Sequence, residues 1–170
     1  MASLNRRKLI AAGTIGAGAY GFAYVTGFFG TNASANPEAG KQFKVTYSPK
    51  IWKNRLGSAR YRILRQAGTE PAHSSPLNKE KRKGIFACAG CNQPLYSSAT
   101  KYDSGTGWPS FWAPIKGRVG TSTDYKIGIA RTEVHCSRCG GHLGHIFNDG
   151  PKPTGKRHCL NGLALKFIPA

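Results

Sequence analysis

The sequence predicts a mainly β domain of short antiparallel strands, led in by a short helical segment and pinned by a structural metal. Three observations carry that expectation. Short strand-forming runs alternate with glycine turns from Gly84 onward, helix start and stop signals crowd residues 48–68, and four of the five cysteines fall in two C-x-x-C pairs.

The chain opens with a segment of different character. Arg6, Arg7 and Lys8 precede an apolar run of 21 residues, rich in Gly and Ala, from Leu9 to Phe29; Ala33-Ser34-Ala35 follows. This is the order of charged, apolar and small-residue regions in an export signal. The paired arginines resemble a bacterial twin-arginine signal, which "NRRKLI" matches loosely. Residues 1–35 are therefore expected to direct export to the periplasm. The alternative is a retained membrane anchor through residues 9–29, a stretch long enough to span a bilayer. These 35 residues hold three of the 25 cations and none of the seven acids, leaving +15 on the remainder. Such a balance suits nucleic acid or an anionic surface. An exported protein does not ordinarily meet nucleic acid, and the cations are scattered, with the densest run, "NKEKRKG" at 78–84, reading as a solvated loop. No nucleic-acid partner is expected.

Residues 36–48 read as an extended linker and residues 49–168 as the working domain. In "SPKIWKNRLGSARYRILRQAG" (48–68), Ser48 then Pro49 mark a helix start, Ser58 a second possible cap and Gly68 a stop. Ile51, Trp52, Leu56, Tyr61, Ile63 and Leu64 offer it an apolar side. The stretch to Lys83 is punctuated by Pro and Ser and reads as loop. Beyond Gly84 the strand-like runs are "GIFAC", "QPLYSS", "GRVGTSTD", "KIGIART", "TEVHC" and "LALKF". In the last, Leu163, Leu165 and Phe167 share one face and Lys166 takes the other. The apolar content of this half is modest for a β core, so a covalent or metal staple would help it fold.

Cys88-x-x-Cys91 and Cys136-x-x-Cys139 supply that staple. Ala89-Gly90 lies inside the first pair and Gly140-Gly141 follows the second, so each can form a tight knuckle that aims two sulfurs at one point. Two knuckles give the four tetrahedral thiolates that structural zinc prefers. A pair of disulfides and a redox-active C-x-x-C are the alternatives. No βαβ pattern surrounds either pair, which counts against the redox reading. His142 and His145 continue the three-residue spacing after Cys139, but four cysteines already complete a tetrahedron.

Cys159 is left over. On a strand, Arg157 and Asn161 would share its face. A neighbouring cation favours the thiolate, the nucleophilic form. A lone cysteine with distant His and Asn is the pattern of a candidate nucleophile, against the plainer reading of a small buried hydrophobe.

At this point the residues resemble a known family, the B-type methionine sulfoxide reductases. The resemblance spans about residues 68–168: "GTEP", "SSPLNKEKRKGIFACAGCNQPLYSSATKYDSGTGWPSFW", "RTEVHCSRCGGHLGHIFNDGPKPTGKRHCLNG" and "LALKF". It implies two small antiparallel sheets with N-terminal helices, a β-tent of the Mss4-like kind, and reduction of the R epimer of methionine sulfoxide, mainly in proteins. Cys159 matches the family's nucleophile, which passes through a sulfenic acid. Trp108 matches the indole that packs on the substrate methyl, and Phe147 adds to that wall. His142 and His145 match the histidines that help protonate the leaving oxygen. Arg157 and Asn161 match the polar residues that orient the thiolate and active-site water. Cys88, Cys91, Cys136 and Cys139 match the zinc set, one Zn2+ per chain. Trp108, the two histidines, Arg157 and Asn161 each also suit a plain structural position.

Three positions depart from the family pattern. Thr106 stands where many members carry a resolving cysteine, Gly162 where serine is common and His158 where an aromatic is common. Every other cysteine belongs to the metal set, so regeneration by an external thiol or a dithiol reductase is expected. On a strand His158 points away from Cys159. A monomer is expected. The rival reading from another class is an exported basic zinc-ribbon binding module.

Overall fold

The computed structural model describes residues 42–170; the expected export signal or anchor, and residues 36–41 of the linker, lie outside the described residues. A helix, α1 (Pro49–Gln66), is followed by nine strands: β1 (Gly84–Cys88), β2 (Pro94–Ser97), β3 (Lys101–Tyr102), β4 (Ser110–Phe111), β5 (Val119–Asp124), β6 (Arg131–Cys136), β7 (His142–Phe147), β8 (Arg157–Leu160) and β9 (Leu165–Pro169). They form two sheets, β2-β1-β9 and β3-β4-β8-β7-β6-β5, with every pairing antiparallel. The expected mainly β fold of two antiparallel sheets is the observed one.

Ser48 caps α1 as read from the sequence, accepting from the Ile51 N–H, with Pro49 in the first turn. The helix is two short helices joined at Gly57, whose φ of 70° interrupts the regular backbone one residue before Ser58. Its stop is at Ala67, which adopts the left-handed conformation, and the Gly68 N–H bonds back to the Arg62 carbonyl. Trp52, Ile63 and Leu64 are its buried side chains. Arg65 stacks over Trp52, 4.9 Å from the ring centroid, and donates to the Cys139 carbonyl at 2.8 Å, tying the helix to the second cysteine knuckle. The end of the expected linker is also engaged. The Val45 N–H donates to the Arg138 carbonyl at 3.1 Å, and the Phe43 ring lies where a Cβ on Gly140 would go.

The core lies between the sheets. Phe86, Tyr96 and Phe111 stack with centroid separations of 4.6 to 4.9 Å, surrounded by Leu95, Val134, Leu143, Leu160 and Leu165. Aromatic pairs in such offset or edge geometry add about 0.5–1.5 kcal/mol beyond area burial. His158 faces this core. It shares a hydrogen bond with the Tyr96 hydroxyl at 3.0 Å, and burial, with the Lys156 charge, pushes its imidazole down to about 4. It is therefore a neutral core histidine, turned away from Cys159.

Two strand expectations change. In "KIGIART" only Arg131 and Thr132 belong to a strand, because Gly128 at φ 77° turns the chain and its N–H closes on the Tyr125 carbonyl. The run is the tip of the β5–β6 hairpin. In "LALKF", Leu163 lies in a 3-10 turn (Gly162–Ala164) and the strand begins at Leu165. The Glu70 carboxylate captures the Gly162 and Leu163 N–H groups at 2.6 and 2.9 Å, so neither is free for a ladder.

Gly144 sets how close β7 and β8 come. A Cβ there would collide with the Cys159 carbonyl and sit 3.0 Å from the Leu160 Cα. Both obstacles are backbone, so Gly144→Ala forces the strands apart. The expected loss of stability is about 1–3 kcal/mol, the usual range for overpacking a closed interior. Urea unfolding of the variant against wild type measures it, and an unchanged midpoint would show that the two strands tolerate a wider separation.

Candidate functional site

One cross-strand row organises the larger sheet. Pairing aligns Tyr102 on β3 with Ser110 on β4, Ser110 with Cys159 on β8, Cys159 with His145 on β7, His145 with Glu133 on β6, and Glu133 with Ser122 on β5. Directly opposed residues in a sheet share a face, so this row lines one surface with polar and titratable groups.

His142 joins the row through a bulge. Three-residue spacing on a regular strand would place His142 and His145 on opposite faces. The β6–β7 register shifts between Val134 and His135: Val134 pairs with Gly144 but His135 with His142, leaving Leu143 as an extra residue. That offset returns His142 to the face of His145, with ring centroids 5.4 Å apart. Each imidazole meets a carboxylate, His142 Nδ1 to Glu133 at 2.6 Å and His145 Nε2 to Asp124 at 2.7 Å. Burial raises both acids, but hydrogen bonds and positive neighbours outweigh it and hold both at about 2: the Lys126 N–H, His145 and Arg131 for Asp124, and His142 and Ser122 for Glu133. Both are ionised acceptors, so the ring nitrogens facing them carry the protons. Burial pushes His145 down against the pull of Asp124. His142 Nε2 is buried and makes no hydrogen bond among the described residues.

Cys159 is half-buried at the centre of the row. Burial pushes its thiol up, opposed by the Thr106 hydroxyl and by the charge and hydrogen bonding of Arg157. Thr106 Oγ1 lies 3.9 Å from the sulfur, and a hydroxyl chain continues from it through Ser104 at 2.8 Å to Ser110 at 2.7 Å. With the hydroxyls turned along that chain, Thr106 donates to the thiolate. Arg157, two residues before Cys159 on β8, shares its face; its guanidinium forks onto Asp149 at 2.9 and 2.8 Å and lies 4.3 Å above the Phe147 ring. Phe147 is thus the platform under Arg157 as well as a neighbour of the site.

Asn161 and Trp108 are held by a residue the sequence reading did not single out. The Asn161 amide is taken up at both ends: it accepts from the Glu70 N–H at 2.9 Å and donates to the Leu143 carbonyl at 3.1 Å. It braces the bulge that carries the histidines. Glu70, 3% exposed, also fixes the turn after β8 through its carboxylate, and its carbonyl accepts from Trp108 Nε1 at 3.1 Å. The indole, only partly buried, is oriented by that bond. Glu70, Asp124, Glu133, Ser110 and Tyr102 were all missed; the signal within reach was an acid inside "GTEP" and another in "RTEV" close ahead of the histidines.

The four remaining cysteines converge elsewhere. Their sulfurs all lie within 4.8 Å of one another, with Cys88 to Cys139 at 3.7 Å and Cys91 to Cys136 at 3.5 Å. The close pairs link one knuckle to the other, and all five thiols are free, which removes the paired-disulfide reading. A tetrahedron of sulfurs about 2.3 Å from a zinc ion has edges of about 3.8 Å, so the set fits a thiolate-bound metal. Gln93, 5% exposed, donates to the Cys136 sulfur at 3.6 Å while its amide is anchored on Arg118 and Ser137, the kind of support that outer-shell donors give a thiolate. Cys88 ends β1 and Cys136 ends β6, so the group joins the two sheets.

Two antiparallel sheets clamped at a four-thiol centre define a β-tent domain. Comparison with known proteins is specific. Residues 56–169 match the SelR domain. The chain is 53% identical over 126 residues to peptide methionine sulfoxide reductase MsrB of Leptospira interrogans, covering 74% of this chain and 96% of that one. It is 50% identical over 127 residues to the MsrB of Methanosarcina mazei, covering 74% and 91%, and 48% identical over 131 residues to the chloroplastic peptide methionine sulfoxide reductase B1 of Arabidopsis thaliana, covering 76% and 65%. The chain belongs to the SelR family, the B-type methionine sulfoxide reductases.

Arg157 and Asp149 act on the Cys159 thiol with opposite signs, Arg157 favouring the thiolate and Asp149 the thiol. Arg157→Gln should move the pH midpoint of Cys159 alkylation upward and slow the reaction near neutrality, while Asp149→Asn should move it downward. Iodoacetamide rates against pH, with Cys159→Ser as the blank, check both. Midpoints that coincide in all three proteins would remove Arg157 from thiolate control.

Proposed function

We propose that this protein reduces the R epimer of methionine sulfoxide, mainly in polypeptides, to methionine, with Cys159 as the nucleophile. What carries the reading is the row that sets Cys159 between His145 and Ser110. Support also comes from family membership and from the names of the relatives, which are peptide methionine sulfoxide reductases.

The substrate methyl packs on the Trp108 indole, an apolar face held in place through its N–H. The Cys159 thiolate attacks the sulfoxide sulfur. As the S–O bond weakens, its oxygen takes a proton from the His142 and His145 pair, the side chains best suited to that transfer near neutrality. The oxygen then passes to Cys159 as the bond between the two sulfurs breaks, so methionine leaves with its sulfur reduced by two electrons and Cys159, oxidised by two, is left as a sulfenic acid. Arg157 and Thr106 stabilise the thiolate before attack, and Asn161 holds the turn behind it. Thr106 occupies the position against the sulfur and brings no thiol there. Two equivalents of an external thiol, or a partner dithiol reductase, therefore return Cys159 to the thiol, releasing water and a disulfide. Cys88, Cys91, Cys136 and Cys139 hold one structural zinc ion, which supplies cohesion between the sheets and takes no part in catalysis. Residues 1–35 are proposed to direct export.

The direct test gives the protein separated R and S epimers of methionine sulfoxide with dithiothreitol and follows methionine by chromatography. Reduction of the R epimer alone, lost in Cys159→Ser, is the expected result. Turnover of both epimers, or activity persisting in Cys159→Ser, would remove this assignment. Elemental analysis of the same preparation should return one zinc per chain, and Cys136→Ser should lose the metal together with several degrees of thermal stability; fully folded, metal-free wild-type protein would contradict the zinc assignment.

A further inference from the structure

The β5–β6 hairpin ends in an apolar tip. Tyr125, Ile127 and Ile129 are 67%, 61% and 67% exposed, the three most exposed large apolar side chains among the described residues, and they fall within five consecutive positions. An apolar cluster held out in water beside a functional site marks a contact surface. We propose that this tip is a lip that docks the polypeptide flanking an oxidised methionine, and that it selects sulfoxides with apolar neighbours. The proposal rests on the reduction reading above and names the substrate class of that site.

The tip is tied to both walls of the site. At its base Arg131 pairs with Asp124 at 2.6 Å, and the same Asp124 oxygen receives His145 Nε2, whose strand neighbour is Cys159. On its other side Lys126 Nζ donates to the Gln66 and Ala67 carbonyls at 2.9 and 3.4 Å, at the end of α1. Three residues further along the chain, the Glu70 carbonyl holds the Trp108 indole. The tip therefore stands between the segment that orients the methyl-binding wall and the histidine beside the thiol. It is also ordered internally: the Lys126 N–H bonds to Asp124 and the Gly128 N–H to the Tyr125 carbonyl. A held apolar loop presents its side chains at low entropic cost, which favours contact with a partner.

The chemistry of the tip selects among occupants. Free methionine sulfoxide is a small zwitterion, fully served by Trp108, Cys159 and the histidines. A polypeptide whose methionine belonged to an apolar stretch exposes further apolar side chains on unfolding, and those match three apolar groups at the rim. A lipid surface would be drawn by free cations beside the apolar groups, yet the Lys126 ammonium is spent on helix carbonyls and the Arg131 guanidinium on Asp124. The polypeptide is the better fit.

The experiment compares wild type with the triple variant Tyr125→Ser, Ile127→Ser, Ile129→Ser on three substrates, with dithiothreitol as reductant. These are free methionine R-sulfoxide, a blocked heptapeptide with the sulfoxide between Leu and Val residues, and the same heptapeptide with Ser and Gly flanks. The expected result is an increase of about tenfold in KM for the apolar peptide, what loss of about one buried apolar side chain amounts to, with little change for the other two. The conservative variant Ile127→Val, Ile129→Val should keep the wild-type KM. Equal losses on all three substrates would make the tip a structural support and overturn the proposal, as would no loss on any. Wild-type binding to anionic vesicles, or self-association, that disappears in the triple variant while peptide KM stays constant would assign the tip to a membrane or to a second copy and overturn it too. Wild type that reduces none of the three substrates removes the underlying reaction as well, whereas wild type active on all three with an indifferent variant removes the lip alone.

Discussion

The contact between β7 and β8 at Gly144 is the constraint on which the site depends. Glycine there lets the two backbones meet at Cys159, so the thiol lies in register with His145 on one side and, through β4, with Ser110 on the other. The next residue back, Leu143, is the bulged one, and the bulge turns a three-residue spacing into a shared face for His142 and His145. Two neighbouring positions on one strand thus fix three side chains of the candidate site, Cys159, His142 and His145. Neither effect needs a loop to close or a segment to order.

Buried acids stiffen that arrangement from behind. Asn161 ties the Leu143 carbonyl to the Glu70 backbone, and the Glu70 carboxylate fastens the turn that follows Cys159. Glu70 also carries the bond that orients Trp108, so the turn after Cys159, the histidine bulge and the indole share one brace. A group 3% exposed whose oxygens are both engaged is expensive to disturb, because loss of the carboxylate strands two backbone donors. The four-thiol centre works at longer range. It joins the end of β1 to the end of β6, and Arg65 extends the connection to α1. The small sheet, the large sheet and the helix are thereby held at one point, which offsets the modest apolar content of the strands.

Much of this was legible in the sequence, for reasons that are local. Paired C-x-x-C spacing states a tetrahedral thiol set wherever the chain goes between the pairs, and Ser48-Pro49 states a helix start by itself. Cys159 stood out because its neighbours are polar. What was not legible depends on partners distant in the chain. "KIGIART" alternates like a strand, but Gly128 sits where two strands must reverse, and Ile127 and Ile129 lack a sheet to cover them. Leu163 alternates correctly with Leu165, but an acid 93 residues earlier takes its N–H. His142 and His145 read as a pair only by resemblance, since their spacing is wrong for a regular strand and the bulge that corrects it is a property of the pairing with β6. Glu70, a single acid in a loop, has no periodicity to betray it.

Electrostatics complete the synthesis. On sequence grounds Arg157, two positions from Cys159, favours the thiolate; the folded site is more balanced. Burial pushes the Cys159 thiol up and the His145 imidazole down. Arg157 and Thr106 pull toward the thiolate, while Asp124 pulls toward the imidazolium. These pulls oppose the effect of burial on each group without reversing it. Reduction of a sulfoxide needs a thiolate to attack sulfur and an acid to protonate the departing oxygen. A fully ionised thiol beside a neutral histidine would attack without a donor, and a charged histidine beside a protonated thiol would donate without a nucleophile. Cys159 and His145 stand opposite one another in the sheet, with Arg157 drawing the first toward the thiolate and Asp124 bonded to the second, so candidates for both roles share one face.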